Sequence, residues 1–229
     1  MNYVNAQSLA GTVANLNTAR LQGTRLAQAE REQAAAWIAG RADLPGSYRG
    51  LPAPTAADHH AKLRLFTGEI VGSRVGVRCK LGFEATWALT ALHPRKPAAA
   101  AVATACRQRT IECFAQERVR RPGMYCCCTC SVAGWRALGN APEPAAAPLL
   151  EAALGCLRAD RDGKGRWLHF PFWYSLLALS DMTHPRAIEE LAYAAPRMER
   201  VLQAKVGRDI YDRRRRLLAR HVLARVVAG

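Results

Sequence analysis

The residues in this chain whose type and spacing point most directly to chemistry are its cysteines. Cys126-Cys127-Cys128-Thr129-Cys130 packs four thiols into five positions, with Cys127 and Cys130 as a Cys-x-x-Cys pair. Thiolates bind zinc well and a structural site needs four ligands, so Cys126, Cys127, Cys128 and Cys130 are the candidate metal ligands. Cys79, Cys106, Cys113 and Cys156 stand elsewhere and are available to a stacked helical fold. Structural zinc sites usually draw on two paired motifs, and only one is written here. A thiol at a helix start also gains acidity from the N-terminal dipole, which makes Cys128 and Cys130 candidate nucleophiles. Against both stands a plainer role, because cysteine is among the most buried residue types and packs as a small apolar group. That role is adopted: no cofactor is expected, with zinc the alternative.

The second concentration is Asp160–Asp181, which holds a polar glycine-punctuated loop and then the densest aromatics of the chain. Trp167, Phe170, Phe172, Trp173 and Tyr174, with Trp135, are candidates to line an apolar ligand pocket. The same rings would serve equally as core packing. His169 lies among them as a candidate general base, with no evident acid or nucleophile beside it. Asp160-Arg161-Asp162-Gly163 resembles part of a calcium loop, but Arg158 and His169 occupy two positions where ligands are required.

A third feature is charge. The formal net charge is +15, concentrated in residues 61–130 (+8) and 196–229 (+7). Arg213-Arg214-Arg215-Arg216 is a candidate polyanion or nucleic-acid contact, with counterion release as its driving term. No recognised nucleic-acid motif accompanies it, and four consecutive residues wrap a full helical turn and so share no single face.

These residues must be positioned by helices. Ala, Leu and Arg dominate the composition, favouring helix over strand. Residues 1–42 read as a helical arm, 43–60 as a Pro/Gly-rich linker, 61–195 as a domain of helical hairpins and 196–229 as a basic C-terminal helix. Within the domain, Ser73 is an N-cap for a helix to Leu92, and further helices follow over about 97–119, 129–138, 145–158 and 171–180. A helix opened by Pro185 is interrupted near Pro196, and the last helix begins near Arg197. No apolar run has the length of a membrane span and no secretory signal is visible, so a cytoplasmic chain with reduced thiols is expected.

Aligning Trp87, Trp135 and Tyr174 gives spacings of 48 and 39 residues, each unit being a helix, a turn and a longer helix. Periods of this size mark stacked helical hairpins, since one hairpin cannot cover its own apolar face. The best unit, Leu157…Asp162-Gly163-Lys164-Gly165-Arg166-Trp167…Tyr174-Ser175-Leu176-Leu177-Ala178-Leu179, resembles the repeat of the α/α-toroid superfamily of terpenoid cyclases and protein prenyltransferases. The resemblance covers about residues 73–195. It implies an inner layer of helices, each reached through a loop from an outer helix, and a pocket at the inner ends. It does not bring the family's chemistry: Cys128-Thr129-Cys130 lacks the leading Asp of the cyclase acidic motif, and no Asp-x-Cys pair of a prenyltransferase zinc site occurs. A HEAT-like array would give much the same periodicity.

The fold expected is all-α, a stacked array of helical hairpins, partly toroid-like or HEAT-like. The function expected first is a non-enzymatic binding or scaffold protein that recognises an apolar small molecule or a protein partner's helix. A zinc- or thiol-dependent enzyme of the toroid family and a nucleic-acid-associated protein are the alternatives. Oligomeric state is not legible.

Overall fold

The computed structural model describes residues 3–59, 63–116 and 121–228. It is helical throughout these residues: α1 Leu9–Leu21, α2 Gln28–Ala39, α3 Arg74–Leu92, α4 Pro97–Phe114, α5 Cys128–Leu138, α6 Ala146–Ala159, α7 Phe172–Leu179, α8 Pro185–Gln203 and α9 Ile210–Ala228. Among the described residues, β-pairing is limited to two isolated bridges, Arg64 with Ile70 and Arg161 with Trp167. α4 ends at Phe114, with Ala115 as its C-cap, short of the end expected near Val119, a residue outside those described.

The helix starts follow from local chemistry. Ser73 is the N-cap of α3, and its Oγ accepts from the Gly76 amide at 3.0 Å. Ser8 does the same for α1, at 2.8 Å from the Gly11 amide. Asp58, some fifty residues away in sequence, adds a carboxylate there: it accepts from the Leu9 and Ala10 amides at 2.9 and 3.2 Å. A negative group at a helix N-terminus satisfies donors that the helix cannot pair and opposes the positive end of its dipole. The Pro/Gly-rich stretch is thereby fastened to the first helix, with Leu51, Ala53 and Asp58 buried.

The odd-numbered helices form one layer. α3 packs against α1 and α5, α5 against α7, α7 against α9, and α9 returns to α1. The even-numbered helices lie against this circuit: α2 on α3, α4 on α3 and α5, α6 on α5, and α8 on α7 and α9. The three aligned aromatics fall on consecutive members of the layer, Trp87 on α3, Trp135 on α5 and Tyr174 on α7. Residues of α1 and α2 belong to the same hydrophobic core as those of α3 to α9. Close approach is purchased by glycine at Gly123, whose φ of +77° places it against α6: a Cβ there would lie 2.4 Å from the Ala153 amide nitrogen.

The boundary between the last two helices also differs from the sequence expectation. α8 runs through Pro196 to Gln203, and α9 starts only at Ile210. A proline inside a helix forfeits a single hydrogen bond and usually kinks the axis, but this helix buries Leu191, Ala194 and Met198 around that point. The actual end is fixed by Arg216, whose guanidinium donates to the carbonyls of Val201, Leu202 and Ala204 at 2.6 to 2.8 Å.

Candidate functional site

Charges in helix interiors that are otherwise apolar are the residues to build from. Glu84 is a lone acid between Phe83 and Ala85 on α3, Arg136 stands between Trp135 and Ala137 on α5, and Asp181 follows the apolar run of α7. The fold brings all three together. The Arg136 side chain is 0 % exposed and donates to Glu84 Oε2 at 2.5 Å and to Asp181 Oδ2 at 2.6 Å. Its remaining terminal nitrogen donates to Asn17 Oδ1 of α1. The guanidinium also lies over the Trp87 ring, 3.7 Å from its centroid, in cation–π contact. Tyr174 of α7 donates to the other oxygen of Glu84 at 2.6 Å.

Burial by itself depresses the Arg136 pKa, but the carboxylates of Asp181 and Glu84 overcome it and hold the guanidinium above its ordinary value. Burial, then the charge of Glu84 and the hydrogen bond to it, push Tyr174 well above the ordinary phenol value. Arg136 stays charged and Tyr174 stays neutral, so the network is a fixed donor array rather than a proton relay.

Beside this network opens a cavity of about 560 Å³, bounded by the C-terminal ends of α1, α3 and α5, the loop after α1, the start of α2, the turn after α7 and α9. Five arginines line it (Arg20, Arg25, Arg31, Arg136 and Arg225) against one carboxylate, Asp181. Leu16, Leu26, Trp87 and Leu92 supply apolar wall. His93, which ends α3 in the left-handed conformation (φ 47°), sits at the rim. Part of the positive charge is already engaged. Arg20 pairs with Asp181 at 2.6 Å and donates to the Ser180 carbonyl at 2.6 Å, and Arg225 donates to the carbonyls of Ser180 and Met182 at 2.8 Å. These are the carbonyls at the end of α7, the negative end of its dipole. Among the described residues, two buried nitrogens of this lining nonetheless find no hydrogen-bond partner, Arg20 Nη1 and Arg31 Nε. Burial lowers the Arg20 pKa despite Asp181. An anion with an apolar body would meet both needs of such a cavity, charge and wall.

The candidates read from sequence lie elsewhere. Trp135, Trp167, Phe170, Phe172 and Tyr174 are buried, with Trp173 half-buried against the same core, and none of the six lines the cavity. Their polar atoms are used internally: Trp135 Nε1 donates to the Gly123 carbonyl at 2.6 Å and Trp167 Nε1 to Glu190 at 2.9 Å. Trp135 stacks on Phe170 at 5.2 Å between centroids, and Trp167 on Phe172 at 5.8 Å. His169 has a side chain 74 % exposed and pairs with Asp160 at 2.6 Å, at the surface. Cys128 is only partly buried, and burial followed by the nearby charge of Asp160 pushes its thiol up, away from the acidity of an activated nucleophile. Cys126, Cys127 and Cys130 do converge, with sulfurs within 4.8 Å of one another.

Three of the four consecutive arginines are engaged in the fold. Arg214 covers the Phe66 ring at 4.7 Å, Arg215 donates to the Thr67 carbonyl at 2.9 Å, and Arg216 caps α8 as described. Arg213 points to solvent. No helix of the described residues is long and apolar enough to cross a membrane.

Sequence reasoning passed over Glu84, Arg136 and Asp181, although a signal was present. Each is an isolated charge in or beside an apolar helix that carries one of the aligned aromatics. Comparison with protein-family models, curated proteins and solved structures returned no match for this chain.

Proposed function

We propose that this protein is a ligand-binding protein whose arginine-lined cavity takes a small organic anion, a carboxylate or phosphate carried on an apolar body. The observation that carries this reading is the imbalance around the cavity, five arginines to one carboxylate among the described residues, together with the buried Nη1 of Arg20, which finds no hydrogen-bond partner among them. The scaffold reading that goes with it is a small toroid-like ring, in which the closed circuit of odd-numbered helices is the inner layer and the cavity lies at its C-terminal mouth. The reading keeps the expected apolar component of the ligand but moves it from the aromatic cluster to Trp87, Leu16 and Leu26. A polyanion site on α9 is less well supported, because three of its four arginines are spent on carbonyls and rings within the fold.

The fluorescent anion anilinonaphthalene sulfonate tests this against neutral phenylnaphthylamine. The anion should bind and be displaced by inorganic pyrophosphate, while the neutral probe binds weakly. Arg25→Gln and Arg31→Gln should each weaken the anion by about 1 kcal/mol, roughly fivefold in Kd. Equal binding of the two probes, with no response to either substitution, would remove the anion reading.

A further inference from the structure

We propose that Cys79, Cys126, Cys127 and Cys130 form a four-thiolate site for a zinc ion, closed by a helix that the Cys-x-x-Cys motif does not belong to. Cys126, Cys127 and Cys130 lie at the start of α5 with their sulfurs within 4.8 Å of one another. Cys79 comes from α3, which packs directly on α5, and is buried there beside the thiols of Cys126 and Cys130, with which it interacts. The fold therefore supplies the fourth sulfur that the sequence motif lacked. Cys79 and Cys128 both stand outside the group of three mutually close sulfurs, and of the two only Cys79 interacts with its members.

Three further observations suit a metal. Cys127 is the N-cap of α5, and its sulfur accepts from the Cys130 amide at 3.4 Å, so the loop already bends both sulfurs inward and gives one a backbone donor. Cys79 and Cys130 are 2 % and 3 % exposed, whereas Cys126 and Cys127 are exposed, which leaves two sulfurs at the floor and two at an open rim through which an ion can enter. Lys80 is buried, and its charge reaches Cys130. Zinc–sulfur bonds of about 2.3 Å place tetrahedral sulfurs roughly 3.8 Å apart, so the sulfurs of Cys126, Cys127 and Cys130 need to contract by no more than about an ångström, and that of Cys79 must move in to complete the tetrahedron. On binding, four thiols release their protons and leave a site of formal charge −2, which Lys80 and the N-terminal dipole of α5 oppose. The choice of zinc over calcium or magnesium follows from the all-sulfur donor set.

The experiment uses the full chain purified under reducing conditions without chelator from cells grown with added zinc. Zinc should be stoichiometric by elemental analysis, and cobalt(II) exchanged into the site should show the visible bands of a tetrahedral four-thiolate centre. Cys79→Ser should lower zinc affinity by at least about 100-fold, the upper end of what loss of a merely outer-shell partner costs. Cys113→Ser and Cys128→Ser should leave it unchanged. Should Cys79→Ser fail to fold, the wild-type cobalt spectrum decides: a four-sulfur centre supports the site, and a centre with three sulfurs and an oxygen overturns it. Absence of bound zinc, wild-type affinity in folded Cys79→Ser, or a disulfide within this cysteine group in the protein as purified would each overturn it as well.

Discussion

Arg136 carries more of this molecule's organisation than any other single residue. Two carboxylates, an amide oxygen and an indole ring from three different segments meet on one guanidinium, and its fully buried side chain is shielded from water. A buried ion pair adds little net stability compared with an apolar replacement of the whole set, but removal of one partner strands the others. Arg136→Met should therefore cost about 3–5 kcal/mol, because Glu84 is left as a buried charge without a cation and Asp181 keeps only Arg20. Arg136→Lys should recover only part of this, since an ammonium cannot reach Glu84, Asp181 and Asn17 as a planar fork does. Urea unfolding followed by helical circular dichroism measures both. A loss below about 1 kcal/mol for the Met variant, as for an ordinary exposed pair, would show that the network is not the interior anchor described.

At the scale of elements, what could be read in advance was what local chemistry dictates. Ser73 as an N-cap, the helix ending at Leu92 and the alignment of Trp87, Trp135 and Tyr174 on successive helices of one layer all follow from spacing and capping. The cavity did not show, because Arg20, Arg31, Arg136 and Arg225 come from four helices and share no period. The C-terminal arginine run misled for the reverse reason. In sequence it reads as exposed charge, whereas in the fold its members satisfy carbonyls that their own helix never contacts in sequence. Arg216 and Arg213 should separate these roles. Arg216→Ala leaves the carbonyls of Val201, Leu202 and Ala204 without their donor and should destabilise the chain by about 1–3 kcal/mol. Arg213→Ala, on the exposed side of the same turn, should stay within about 0.5 kcal/mol of wild type. Thermal melts of the two variants side by side check this, and equal losses would refute the distinction.

At the scale of the whole molecule, the layer of odd-numbered helices depends on α9, which packs on α1, α7 and α8. Its inward face brings His221 into a positively charged neighbourhood. Burial lowers the His221 pKa, and the charges of Arg20 on α1 and Arg225 on α9 lower it further, opposed by Asp181 and the Ser180 backbone. Among the described residues its buried Nε2 finds no hydrogen-bond partner. The sign of the linkage follows. The unfolded chain takes up a proton near the ordinary imidazole value of about 6.5, which the folded chain resists. The stabilising contribution of neutral His221 is thus complete above that value and disappears as pH falls through the lower folded value. Acid should therefore weaken the docking of α9, the helix that carries His221. Between about pH 7.5 and 5.5, the wild-type melting temperature should fall, and His221→Gln, which cannot take up the proton, should fall less. Hydrogen exchange should place the early loss in α9 rather than α3 or α5. If both proteins lose the same stability across that interval, acid acts on the fold through other groups and α9 closes the layer independently of His221.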